Sequence, residues 1–152
     1  MIDARAGDSV STPCEDRTEL DLYIDHTAGH LMELAARTLG AEGAALPVVR
    51  DFARGAGTAA LLRALPALQA RGRDPLPPDV PVDAFARAGL AALARARSHR
   101  DRVPRAAAAA LLPGWQADRV LEAAATDPAA RLEVSQVRAR AGLTWRALSG
   151  RW

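Results

Sequence analysis

His26 and His30 stand four residues apart, with Glu33 three further on. On a single helix this spacing sets two imidazoles and a carboxylate on one side, the donor set of a His₂-carboxylate zinc site. The order is not H-E-x-x-H, so no metalloprotease base accompanies it. The plainer reading is preferred: two imidazoles at the surface or the edge of a pocket, with no metal. Asp21 and Asp25 share an i, i+4 spacing on the same stretch, a pairing that is commonly just solvated. His99 lies in a run of Arg and reads as part of a solvated face. Cys14 lacks a neighbouring base and reads as an inert tail thiol; as the lone cysteine it allows no internal disulfide.

The elements that must hold these groups are helical. The chain has 152 residues, enough for one domain, and its apolar share is mostly Ala and Leu. Val and Ile are sparse, and Ala, Leu and Arg rank high in helix propensity. Residues 1–15 are polar, broken by Gly7 and Pro13, and read as a flexible tail; 16–152 read as a single helical domain. Asp16 precedes Glu19 by three, a capping-box spacing that opens a first helix. Its apolar face is expected at Leu20, Ile24, Thr27, Ala28, Leu31, Leu34 and Ala35, with Gly40 as the stop. Pro47 suits the first turn of a second helix facing inward at Val48, Val49, Phe52, Ala56, Ala59, Ala60 and Leu62; Pro66 should kink or end it.

Four prolines make 71–82 an extended connection. A third helix from about Asp83 should bury Phe85, Ala86, Gly89, Leu90, Leu93 and Ala94. Pro104 should start another, Ala-rich through Leu112, which Pro113-Gly114 interrupts before a segment running to about Ala125. A last helix is expected from about Ser135, carrying Val137, Ala141, Leu143, Trp145 and Leu148. The architecture is therefore all-α, a bundle of about five or six helices.

All twenty basic residues are Arg. Residues 1–84 carry eight Arg against thirteen acids, a balance of −5, and 85–152 carry twelve against five, a balance of +7. This split steers anionic partners to one half or draws the halves together. A sum of +2 without a binding motif does not support nucleic-acid binding. No apolar run approaches the roughly 18 residues of a spanning helix, and no signal-peptide pattern opens the chain, so a cytoplasmic setting is expected.

Leu62-Arg63-Ala64-Leu65-Pro66-Ala67-Leu68, followed by Arg71-Gly72-Arg73 and Leu76-Pro77, resembles the second aspartate-rich motif of the squalene/phytoene synthase family. There a helix runs into L-R-D-V-x-E-D, then G-R and L-P. Leu62, Arg63, Gly72, Arg73, Leu76 and Pro77 match, and the two metal-binding aspartates fall on Ala64 and Leu68. Tyr23-Ile24-Asp25-His26-Thr27-Ala28-Gly29 resembles the family's Y-x-x-x-V-A-G helix, with Thr27 in place of Val. Residues 104–125 and 139–146 look like the terminal helices of bacterial members.

The resemblance implies the C-terminal half of an isoprenoid synthase fold, with Tyr23, Thr27, Ala28 and Gly29 lining an apolar prenyl groove. Mg²⁺ would be the family cofactor and prenyl transfer its chemistry. The family's first D-x-x-x-D motif, upstream of the tyrosine helix, has no counterpart in this sequence, and Asp21 and Asp25 belong to the second conserved helix. Ala64 and Leu68 align the chain with relatives that have lost the aspartates, among them the mitochondrial assembly factor for respiratory complex I. A non-catalytic interaction or assembly module is thus expected, binding a protein partner, a second copy, or an isoprenoid lipid or diphosphate. Membrane contact would be at most peripheral, at the inner membrane. The alternative is half of a split prenyl-diphosphate condensing enzyme whose N-terminal helices come from another chain.

Arg63, Arg71 and Arg73 flank the diphosphate site in the family pattern and are candidates for an anion or lipid headgroup, though loop solvation explains them more simply. Ala106 to Ala110, with Leu111, Leu112 and Trp115, is a candidate membrane face that helix packing also explains. The association surface is expected on the helix of Tyr23, Ala28 and Leu31 and the helix of Phe52, Ala56 and Ala60.

Overall fold

A computed structural model describes residues 14–128 and Trp152, and among these residues the chain is helical with no strand. The segment expected to form the last helix, from Ser135 through Leu148, lies outside the described residues, as does most of the N-terminal tail.

Helix α1 (Arg17–Ile24) begins where Asp16, in an extended conformation, accepts the Glu19 backbone N–H at 2.8 Å. Glu19 reaches back one residue further than in the usual box and accepts the Glu15 N–H at 2.6 Å. At Asp25–Gly29 the winding widens to a π-helical turn, in which the His30 N–H bonds the Asp25 carbonyl. Helix α2 (His30–Thr38) continues the same rod. It ends in a Schellman motif: Ala41 N–H to Ala36 O at 2.9 Å and Gly40 N–H to Arg37 O at 3.0 Å, with Gly40 at φ 89°.

The π turn corrects the expected inner face. A wide turn takes one residue more than an α turn. Downstream of Ile24 the buried positions are Gly29, Met32, Glu33 and Ala36, while Leu31 and Leu34 are 47% and 57% exposed. The expected Leu31, Leu34 and Ala35 face assumed an unbroken 3.6-residue period, and Ala35 is only half-buried.

Helix α3 (Ala45–Gln69) has 25 residues and a length of about 37 Å at 1.5 Å per residue. The rod, α4 (Val82–Ser98) and α5 (Ala117–Thr126) all pack on it. Ala60, expected inside, is exposed, and Ala53, Gly55, Gly57, Thr58 and Leu61 are buried. A helix approached from several sides has no single apolar stripe, so periodicity alone misassigns such positions. Pro66 neither ends nor immediately stops α3: the helix adds one short turn to Gln69, where the Ala70 N–H bonds the Pro66 carbonyl at 3.0 Å. Pro66 costs α3 its rung to the Leu62 carbonyl, and the helix still closes beyond it.

On α4 the buried stripe is Phe85, Ala86, Gly89, Ala92, Leu93 and Ala96; Leu90 is half-buried and Ala94 exposed, contrary to expectation. The stripe follows a 3–4 alternation that Ala92 and Ala96 complete, because α3 and α5 both cover this side. The expected α-helix from Pro104 through Leu112 is instead a 3₁₀ stretch, Ala107–Gly114, that contains Pro113 rather than stopping before it. A ring at Pro113 disfavours α winding over the preceding turn, and short alanines tolerate the eclipsed i, i+3 stacking of the tighter helix. Ala107, Ala108 and Leu111 of this stretch are buried, so much of the candidate membrane face is core. No helix among the described residues is long and apolar enough to cross a membrane.

The largest fully buried side chains, Phe52, Phe85, Leu20, Ile24, Leu93, Leu111 and Leu121, come from every helix except α2. Close approach of α3 and α4 depends on Gly55: a Cβ there would lie 2.5 Å from Leu93 Cγ and 2.9 Å from the Gly89 carbonyl oxygen. The side chain of Leu93 can shift but the carbonyl cannot without moving α4. Gly55→Ala is therefore expected to lower stability by about 1–3 kcal/mol, the scale of overpacking. Urea melts followed by circular dichroism check this; an unchanged midpoint would show that the α3–α4 spacing is looser than described.

Candidate functional site

The rod crosses α3 at Gly57, where a Cβ would meet Ile24 Cγ2 at 2.7 Å and Ala28 Cβ at 2.9 Å. Ala28, one of the expected groove residues, thus packs against the core at α3. Thr27 is half-buried and its hydroxyl donates to the Tyr23 carbonyl at 2.7 Å, within the rod. Gly29 is buried, and a Cβ on it would stand 2.7 Å from Asp25 Oδ1. The wall beside Gly29 is therefore a carboxylate. Tyr23 is half-buried against the core cluster.

Ala64 and Leu68 follow Gly57 on α3 by seven and eleven residues, close to two and three helical turns, so the three positions share one face. Gly57 is buried, Ala64 exposed and Leu68 half-buried, so this face opens toward the end of the helix. Mg²⁺ takes oxygen ligands, and neither alanine nor leucine supplies one, so these two positions do not fit the ion the resemblance implies. Leu68 has a structural role instead. Its carbonyl accepts the Arg73 N–H at 3.0 Å and the Arg71 N–H at 2.9 Å, Gly72 N–H bonds Gln69 O at 2.9 Å, and Gly72 takes φ 72°. This is a second Schellman ending, with the side chain of Leu68 packed against the core.

The arginines of the candidate anion site divide accordingly. Arg63 is exposed on α3, Arg71 is exposed just past its end, and Arg73 is half-buried. Arg71 and Arg73 therefore sit at the negative end of the helix dipole, where a cation is favoured and an added anion is not. The loop beyond is closed by Asp74, which accepts from Gln69 Nε2 at 3.1 Å and from the Leu76 N–H at 3.3 Å. Leu76 and Pro77 are then buried, which gives the L-P pair a packing role.

The His26, His30 and Glu33 set does not share one face. The two imidazoles are exposed and stacked, with centroids 5.1 Å apart and planes at 16°. Glu33, past the π turn, is buried; Arg37 donates to one oxygen at 2.7 Å and Arg50 of α3 to the other. Both oxygens are thus engaged away from the imidazoles. The hydrogen bond from Arg50, helped by Arg37 and opposed by burial, holds the Glu33 carboxyl below the ordinary glutamate range. Arg50 was not singled out from the sequence, because a pairing across seventeen positions and two helices leaves no local pattern.

Cys14 is half-buried rather than a tail thiol; burial, then the nearby Glu19 charge, pushes its pKa up, which keeps it protonated. Asp21 pairs with Arg17 at 3.0 Å, and Arg17 also lies 4.9 Å from the Phe85 ring centroid. Of the residues named for the association surface, Phe52 is fully buried and Ala28 packs on Gly57, while Leu31 is 47% exposed, beside Leu22, Leu34 and Leu39 at 51%, 57% and 39%.

Residues 1–142 match the family model described as squalene/phytoene synthase, and the chain belongs to that family. No curated protein and no solved structure matches it.

A carboxylate held below its ordinary pKa stabilises the fold above that value and loses the contribution as pH falls through the lowered one. Wild-type stability is therefore expected to drop on acidification below about pH 4.3, the unperturbed glutamate value. Glu33→Gln should be less stable at neutral pH and show a smaller acid-dependent loss. Urea midpoints measured from pH 7 to pH 3 check this; parallel curves for the two proteins would remove the assigned role of Arg50 and Glu33.

Proposed function

We propose that this squalene/phytoene synthase family member is a non-catalytic interaction module that binds a protein partner, a second copy or an isoprenoid lipid. The observation that carries the reading is Ala64 and Leu68 at the positions of the family's second aspartate motif, with Leu68 capping and packing the end of α3. Family chemistry removes diphosphate with the help of Mg²⁺, and that help requires carboxylates to hold the ion. The exposed leucines of the rod support a binding role, since apolar side chains gathered on one element favour association. An assembly role of the kind filled by the family's complex I assembly factor agrees with both features.

The second reading, half of a split condensing enzyme, draws on the retained Arg63, Arg71 and Arg73. It requires another chain to bring carboxylates to the open face of α3 beyond Gly57.

The test is incubation of the purified chain with farnesyl or geranylgeranyl diphosphate and Mg²⁺, following released diphosphate and C30 or C40 products. No turnover is expected, and none from the Ala64→Asp, Leu68→Asp double variant. Turnover by the chain alone would overturn the non-catalytic reading, and turnover only with added N-terminal helices would establish the split enzyme.

Leu68→Asp should also destabilise the fold by about 1–2 kcal/mol, through lost apolar burial and an anion at a helix C-terminus. Thermal melts of this single variant check that. Sedimentation should further show self-association or a hetero-complex, weakened by Leu31→Asp and Leu34→Asp; a monomer at all concentrations, with no partner retained, would argue against an interaction module.

A further inference from the structure

Trp152 is held by contacts from two helices and the turn after one of them. It is 5% exposed, and its ring meets Phe52 of α3 edge-to-face, with centroids 5.1 Å apart and planes at 85°. The Arg100 guanidinium carbon lies 5.5 Å from the ring centroid. The Trp152 main-chain oxygen accepts from Arg100 Nη2 at 3.0 Å and, more weakly, from Arg97 Nε at 3.4 Å. Arg97 is itself fixed by α5: its two terminal nitrogens donate to the two Asp118 oxygens at 2.5 and 2.6 Å. That bidentate pair orients the guanidinium without help from Trp152.

Apolar walls suffice for the carbon frame of an indole, whose N–H alone asks for an acceptor. Here one wall is the edge or face of Phe52, another is a cation, and two donors converge on a main-chain oxygen. A cation over an aromatic face and donors converging on a main-chain oxygen are both means of recognising an aromatic peptide residue. We propose that Phe52, Arg97 and Arg100 form a recognition niche for a tryptophan side chain together with its main-chain oxygen, and that Trp152 of the same chain is its resident occupant. The niche stands apart from Ala64 and Leu68, and the inference does not rest on their reading.

An occupied niche has no room for a free ligand, and an emptied one does. The probe is N-acetyl-L-tryptophan, which carries the indole and, on the same α-carbon, carboxylate oxygens in the place of the Trp152 main-chain oxygen. In calorimetric titration the wild-type chain should show no saturable binding, and Trp152→Ala should bind the probe at one site. Adding Arg100→Ala to Trp152→Ala should weaken that binding roughly threefold to tenfold, the worth of a cation–π contact. Equal binding by wild type and Trp152→Ala would overturn the proposal, as would no binding by a Trp152→Ala chain of unchanged helicity.

If Trp152→Ala fails to fold, the Trp115→Phe, Trp145→Phe chain leaves Trp152 as the sole indole. Its fluorescence should resist acrylamide, and Arg100→Ala should increase quenching. Accessibility equal to that of a free peptide, or indifferent to Arg100, would overturn the niche. Protection that disappears on dilution would mean the occupant comes from a second copy, and would overturn the assignment to the same chain.

Discussion

One extra residue of backbone between Ile24 and Gly29 governs how the first rod meets the rest of the bundle. The π turn lets Ile24 and Ala28 settle on Gly57 and then rotates everything downstream by about one position. Met32, Glu33 and Ala36 face inward as a result, and Leu31 and Leu34 face out. Glu33 could not reach Arg50 of α3 on an unbroken α-helix that buried Leu31 and Leu34. The same displacement therefore pairs a buried carboxylate with exposed arginines and leaves an exposed apolar row. Thr27 contributes by engaging the Tyr23 carbonyl with its hydroxyl, which helps bend the local ladder.

Helix endings supply the second organising feature. Both α2 and α3 close with the same pair of hydrogen bonds around a glycine at positive φ, Gly40 and Gly72. At the end of α3 this closure occupies the stretch where the family resemblance places metal chemistry. Backbone carbonyls there create negative potential, and Arg71 and Arg73 complement it. A metal site would use the same potential for a divalent cation, but only with carboxylates in front of it. With Ala64 and Leu68 in those places, the end of the helix is self-contained.

Helix class, the start at Asp16, the stop at Gly40 and, Leu90 apart, the inner run from Phe85 to Leu93 were legible in the sequence, because each is a local pattern of caps and spacing. Family membership was legible from two short motifs, Tyr23 to Gly29 and Leu62 to Pro77. The inner face beyond Gly29 was not, since nothing in Asp25-His26-Thr27-Ala28-Gly29 distinguishes a π turn from an α turn by composition. Ala60 was misplaced because an alanine contributes little to any periodic signal. The 3₁₀ course of Ala107–Gly114 was hidden by alanines that suit either winding. Pairings between distant residues, Glu33 with Arg50 and Trp152 with Phe52, depend on tertiary packing and leave no trace at short range.

The charge asymmetry between the two halves is used sparingly: Arg95 to Asp51, at 2.9 Å, and Arg87 to Asp83 cross between them, while Arg97 and Asp118 pair within the basic half. Pro66 has the wider consequence. Lacking an N–H, it removes the rung that would accept at the Leu62 carbonyl, one turn before α3 ends. Helical order propagates rung by rung, so a missing rung weakens the cooperativity between the turns on either side of it. The turn carrying Leu68 is joined to the rest of α3 by one rung fewer, and the core packing of Leu68 and the Gly72 closure hold it in place. A change at Leu68 therefore reaches the bundle through side-chain packing more than through the helical ladder.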